Sequence, residues 1–234
     1  MCGRFTQQLS WAELHELYSV YTVPHVSSLP ARFNGAPTQE FAACRLNESG
    51  NREISILRWG LIPFWSKDPS IGSRLINARA ETVHSKPSFR AAFRQRRCLV
   101  PANGWFEWSS VAGRKQPYFI ASESSGPLSI AALWESWDKD EEPLETFTLI
   151  TTQATSELSK IHHRQPAILS SNDWDLWLDP NSSATSLLDL VQTPYRGPYL
   201  YHAVSTRVNN VRNNTKEILE PSSERGLFGS IDQD

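Results

Sequence analysis

Arg97-Cys98-Leu99-Val100-Pro101-Ala102-Asn103-Gly104-Trp105-Phe106-Glu107-Trp108 is the stretch on which the fold class turns. Its halves, Arg97–Val100 and Trp105–Trp108, are short and rich in β-branched or aromatic residues, and read as strands. The same texture recurs on either side. Glu53–Trp59 alternates, and Pro117–Ala121, Ser129–Trp134 and Thr146–Thr151 have the same make-up. Ala167–Leu169 and Tyr201–Val204 are weaker candidates. Helices are few. Ser10 followed by Glu13 has the form of a capping box and predicts a helix from Trp11 to Val20, with Trp11, Leu14 and Leu17/Tyr18 inward. A second helical region covers Asn172–Leu178 and then Ala184–Val191. Strands with turns about every 8–12 residues and helices at the margins predict an α+β fold. Its core is expected to be a curled, barrel-like, mainly antiparallel sheet.

The chain has 234 residues, suited to one domain with a real core. A single domain is expected over 1–220, followed by a polar tail over 221–234. Charges nearly cancel, to a net of −2. That excludes a globally basic nucleic-acid coat protein and a strongly acidic tail protein. It leaves room for a local basic groove. Arg74 to Arg97 holds seven Lys or Arg against Glu81 alone, while Asp138–Glu145 holds five acids against Lys139. Three cysteines (Cys2, Cys44, Cys98) and no CxxC disfavour a disulfide scaffold. No signal-peptide h-region and no long apolar run is present. A reducing cytoplasmic setting is expected, nucleoid-associated in a bacterium, with no membrane partner and a monomeric state.

Cys2 is the most informative position. Methionine aminopeptidases remove Met1 before a small second residue. The new terminus would carry an α-amine (pKa about 7.7–8.0) and a thiol (about 8.5), both partly nucleophilic near neutrality. Such a 1,2-aminothiol condenses with an aldehyde to an imine, and the thiol then closes a thiazolidine. No internal cysteine can do this, because its nitrogen is in an amide. Met-Cys alone reads more readily as a small residue after the initiator, since free Cys is commonly a small buried hydrophobe.

Other segments add weight. If Asn77-Ala78-Arg79 is extended, Asn77 and Arg79 share a face. Asn can hydrogen-bond a reacting group, and Arg can clamp a phosphate. Glu107 lies between aromatics, a setting that raises a carboxyl into general acid/base range, although an outward-facing Glu on a strand has the same spacing. Ile161-His162-His163-Arg164-Gln165-Pro166 offers imidazoles for proton transfer. Adjacent His residues fit no usual zinc spacing, so neither a metal nor another cofactor is expected. Exposed Trp59, Trp65 or Trp105 could stack bases, though most Trp residues are core.

Nine blocks in order resemble the SOS-response-associated peptidase (SRAP) family, from Cys2 to about Asn210. They begin with Cys2-Gly3-Arg4-Phe5, Arg32-Phe33-Asn34-Gly35-Ala36-Pro37 and Trp59-Gly60-Leu61-Ile62-Pro63. Asn77-Ala78-Arg79-Ala80-Glu81-Thr82 and Pro101–Trp108 follow. Ala132-Leu133-Trp134-Glu135, Thr151-Thr152-Gln153-Ala154, Ile161–Pro166 and Val204–Asn210 complete the set. Gln165 stands where the family more often has Met or Arg.

The resemblance implies a protein that binds single-stranded DNA, or its junction with duplex, at abasic sites. Cys2 would form a thiazolidine cross-link with the opened sugar, shielding the lesion. Lyase activity would be weak, and a self-processing peptidase activity would release Met1. Asn77 would hold Cys2 and the adduct, Glu107 would manage protons, and His162 would act on the sugar. Arg4 and Arg79 would hold phosphates, Asn34 and Pro37 would line the pocket, and Trp65 and Arg164 would complete the DNA contacts. An N-terminal-nucleophile amidohydrolase or cysteine peptidase, and a non-catalytic reader of modified DNA, are the competing readings.

Overall fold

The structure is a computed structural model, and it describes residues 2–20, 30–111, 113–124, 126–139 and 142–222. Along the chain come β1 (Arg4–Gln7), α1 (Trp11–Tyr18), β2 (Arg32–Gly35), β3 (Glu40–Leu46), β4 (Arg52–Trp59) and β5 (Asn77–Arg79). Next are α2 (Arg90–Gln95), β6 (Arg97–Ala102), β7 (Gly104–Val111), β8 (Arg114–Ser122), β9 (Leu128–Trp137) and β10 (Leu144–Gln153). The last are β11 (Arg164–Pro166), β12 (Ile168–Leu169), α3 (Trp174–Leu178), α4 (Ala184–Gln192) and β13 (Tyr199–Ala203).

Five strands close on themselves in the order β10-β4-β3-β6-β9, with β9 returning to β10. Every pairing in this ring is antiparallel except β4 with β10, so the barrel is mixed. A second, antiparallel sheet runs β13-β8-β7-β1-β2. The expected α+β class and curled sheet are therefore observed. The ring residues Phe41, Trp59, Val100 and Phe147 share one core cluster with Phe5, Trp105 and Ile120 of the second sheet. Cys44, Leu99, Leu133 and Ile150 pack instead with Phe93, Trp177 and Leu187 of the helices. Apolar packing on both faces explains why β3 and β6 read as continuous apolar runs.

The deciding stretch does not fold back as a hairpin. β6 belongs to the barrel and β7 to the second sheet, so Asn103 marks a change of sheet. Asn103 Oδ1 accepts the Gln8 N–H at 2.7 Å, and the Asn103 N–H donates to the Thr6 carbonyl at 2.9 Å. Gly104 is required there, because a Cβ would meet the Ile120 carbonyl oxygen at 2.5 Å.

Ser10 and Glu13 form the expected capping box on α1. The helix stops at Tyr18, short of Val20, because Ser19 takes a left-handed conformation (φ 53°). Leu14 and Tyr18 are buried, while Trp11 and Leu17 are only partly so. Pro221 still bridges to Val204, and the Ser222 N–H donates to the Ala203 carbonyl, so the first two residues of the expected tail belong to the fold. Residues 223–234 of that tail lie outside the described residues. No described helix is long and apolar enough to cross a membrane.

Candidate active site

Three strand pairings assemble the site. β1 lies antiparallel to β7, with Arg4 opposite Phe106, and this register carries the start of the chain along β7 toward Glu107. β5 lies parallel to β10, with Asn77 opposite Leu149. β11 turns back on β10, and the loop between them carries His162 beyond a 3-10 turn at Leu158–Lys160.

Cys2 is fully buried in the main core cluster. Its carbonyl accepts a 2.7 Å hydrogen bond from Asn77 Nδ2, and its thiol makes a 3.8 Å contact to the Arg4 carbonyl. Burial pushes the thiol pKa up, and the nearby Glu107 charge adds to this. Glu107 is 2% exposed. Burial raises its carboxyl to about 7, against the opposing charge of the amino terminus. Glu107 Oε2 lies 3.9 Å from His162 Nδ1. That nitrogen lies 3.0 Å from the Arg164 nitrogen and 3.2 Å from the Arg164 carbonyl, so it accepts from the first or donates to the second according to the ring's tautomer. Burial, reinforced by the amino-terminal charge, lowers the imidazole pKa to about 4. His162 is therefore neutral near pH 7, and its approach to Glu107 is not an ion pair. The corner holds the Cys2 main chain and thiol, a carboxyl poised near neutrality and a neutral imidazole, which is a set of groups for moving protons.

The remaining expected residues divide by environment. Arg79 is exposed on β5, as a phosphate contact requires. Trp65 is 48% exposed, beside an equally exposed Phe64 that the sequence reading passed over. Pro37 is half-buried in the turn between β2 and β3.

Arg4, Asn34 and Arg164 have partners within the protein. Arg4 Nη1 donates to Asn34 Oδ1 and to the Val208 carbonyl, both at 2.7 Å. Asn34 is buried, and its Nδ2 donates to the carbonyls of Val208, Asn210 and Asn213. This pair holds the 206–213 segment against the second sheet. Arg164 forks onto both Glu81 oxygens, at 2.6 and 3.0 Å, and donates to the Thr151 carbonyl. Its guanidinium anchors β11 to β5 and β10. A sequence shows that an arginine is cationic; it does not show which partner satisfies it.

The basic run is smaller than the sequence count. Arg97 is buried and Arg96 pairs with the buried Glu135, which leaves Arg74, Arg79, Lys86, Arg90 and Arg94 exposed. Gln165 is wholly buried and has a role not foreseen. Its Oε1 accepts the Thr155 N–H at 2.9 Å, tying down the start of the His162 loop. Cys44 and Cys98 are buried core thiols. Among the described residues no group of three or more His, Cys, Asp or Glu could hold a metal ion.

Comparison with known proteins identifies the family. Residues 1–211 match the model for SOS response associated peptidase (SRAP). The chain is 36% identical over 223 residues to Bacillus subtilis abasic site processing protein YoqW, covering 94% of this chain and 99% of that one. It is 34% identical to chicken (Gallus gallus) abasic site processing protein HMCES, covering 92% of this chain and 70% of that one. A crystal structure of a Bacteroides thetaiotaomicron protein superposes with a TM-score of 0.84 at 27% identity, covering 94% of this chain and 100% of that one. The chain belongs to the SRAP family.

Proposed function

We propose that this protein processes abasic sites in single-stranded DNA, and at junctions with duplex, by joining them covalently to Cys2. The observation that carries the proposal is Cys2 itself. Its main chain is fastened by Asn77 in the corner that also holds the buried Glu107 and the neutral His162.

Removal of Met1 exposes the Cys2 amine. The amine adds to the C1′ aldehyde of the opened sugar, and loss of one water leaves an imine. Cys2 Sγ then adds to the imine carbon while the thiol proton passes to nitrogen, closing the thiazolidine. A buried thiol held in its neutral form suits this order, with the amine attacking first. Glu107, near 7, can take and return the protons. His162, neutral near pH 7, serves the sugar oxygen. Thiol capture consumes the imine before β-elimination, so strand cleavage is weak. Release of Met1 by the same site accounts for the peptidase in the family's name.

A denaturing gel with an abasic single-stranded oligonucleotide tests the reading. A shifted, heat-stable band is expected. Cys2→Ala removes it, and Cys2→Ser leaves only an imine trapped by borohydride. No band, with amide hydrolysis in its place, establishes the N-terminal-nucleophile hydrolase instead. Mass spectrometry of the cross-linked species must show Met1 absent; a reactive chain that retains Met1 overturns the mechanism.

A further inference from the structure

His162 and Glu107 stand 3.9 Å apart but are carried by different sheets. Glu107 is on β7 of the second sheet, while the loop of His162 hangs between β10 and β11 of the first. Two groups that pass protons must keep their separation to a fraction of an ångström, so the sheets need a joint close to this point.

Gln165 is placed to supply one end of that joint. It is wholly buried on β11, opposite Thr152 of β10. Both ends of its amide are assigned by their neighbours. The Thr155 N–H can only donate, so Oε1 faces it, at 2.9 Å. The Tyr195 carbonyl can only accept, so Nε2 faces it, at 3.4 Å. Nε2 also reaches the Tyr199 hydroxyl at 3.4 Å, and that hydroxyl donates in turn to the Tyr195 carbonyl at 3.1 Å.

From the Oε1 end, hydrogen bonds lead to His162. The Thr155 carbonyl accepts the Ser159 N–H at 2.9 Å, and the Thr155 hydroxyl accepts the Leu158 N–H at 3.4 Å. The Leu158 carbonyl then accepts the His162 N–H at 3.0 Å. From the Nε2 end, contacts lead to Glu107. Tyr199 is on β13 of the second sheet, and its ring stands edge-on to Trp105, with 5.6 Å between centres and 86° between planes. Trp105 precedes Glu107 by two residues on β7, so the two side chains share a face of that strand.

We propose that Gln165 and Tyr199 form a joint between the two sheets that sets His162 against Glu107, which makes both of them positioning residues for the proton transfers. The inference rests on the abasic-site reading for the reaction that it serves, but the joint itself can be tested without DNA.

The test uses the full chain with Gln165→Met and Tyr199→Phe. Methionine keeps the length and apolar volume of the side chain and makes none of these hydrogen bonds. Phenylalanine removes one hydroxyl and leaves the ring on Trp105. The first measurement is an NMR titration of the His162 imidazole. Burial holds its pKa at about 4. Gln165→Met should move the midpoint up toward the ordinary value, because a loop freed at Thr155 admits water to the ring. Tyr199→Phe should move it less, since the Thr155 bond survives. The second measurement is the rate of cross-link formation on an abasic single-stranded oligonucleotide. Gln165→Met should slow it about tenfold and Tyr199→Phe about threefold. In a His162→Ala background neither substitution should slow the reaction further, because both act through His162.

Equal slowing with and without His162 overturns the joint, since general loosening of the core would not depend on that imidazole. A His162 midpoint unmoved in Gln165→Met also overturns it. Should Gln165→Met fail to fold, Tyr199→Phe decides the matter by the same two readings. A wild-type chain that forms no covalent band, while the substitutions still move the His162 midpoint, refutes the cross-linking function and leaves the joint standing.

Discussion

Glu107 shows what burial does to a single residue. Its folded pKa of about 7 stands above the ordinary carboxyl value of 4.5. Between those values the folded chain binds more protons than the unfolded one, so stability falls as pH rises through this window. Glu107→Gln abolishes that titration. It should equal the parent near pH 4.5 and exceed it at pH 8 by on the order of 3 kcal/mol, read by urea denaturation at the two pH values. A gap that does not change with pH refutes the assignment. The same substitution should slow cross-link formation, so stability gained and activity lost come from one buried carboxyl. Cys2, Asn77, Glu107 and His162 could be singled out from the sequence because they sit in motifs that resemble the SRAP family's; their side-chain types alone left Cys2, Asn77 and Glu107 open. For Arg4, Asn34 and Arg164 the family resemblance implies DNA contacts, and within the protein their partners are mostly carbonyls and a carboxylate far away in the chain. Backbone carbonyls leave no mark in sequence.

Elements with a clear local signal matched their expected positions. β4, β7, β9 and β10 alternate or carry β-branched and aromatic runs, and α1 announces itself by its cap. β1, β2 and β3 were not foreseen. The first two have four residues each, too few to show a period, and β3 is buried over most of its length, so no polar face alternates with an apolar one. α2 was hidden inside the basic run, where its charges suggested a solvated face. What stops α2 and α3 is a single arginine. Arg97 donates to the Phe93 and Arg94 carbonyls at the end of α2, and to the Trp177 and Asp179 carbonyls at the end of α3. One cation thus satisfies the C-terminal carbonyls of two helices. Burial lowers its pKa only to about 10, so the charge persists at neutrality. Arg97→Leu strands these carbonyls and should cost on the order of 3 kcal/mol in urea denaturation. Arg97→Lys keeps the charge without the planar fork and should fall between the two. A loss under about 0.5 kcal/mol for Arg97→Leu would show that water takes the arginine's place.

At the scale of the molecule, a net charge of −2 conceals an uneven distribution. Five exposed cations remain between Arg74 and Arg94, while the acids of Asp138–Glu145 lie on another part of the chain, with Glu145 engaged by Arg45. Only cations without an internal counter-ion can release counterions from DNA. Arg79 and Arg164 make the contrast sharp, because they neighbour each other across β10 but differ in partner. Arg79 is exposed on β5, whereas Arg164 is locked onto Glu81 from β11. Measured by anisotropy on undamaged single-stranded DNA, Arg79→Ala should reduce the slope of log K on log salt by about 0.7, the value for one phosphate contact. Arg164→Gln should leave the slope unchanged and lower the melting temperature, because it breaks the fork onto the half-exposed Glu81 and removes the donor that the Thr151 carbonyl receives. A fall in slope for Arg164→Gln would mean that DNA displaces Glu81 on binding. An unchanged slope for Arg79→Ala would move the phosphate path away from β5 and toward Arg90 and Arg94 on α2.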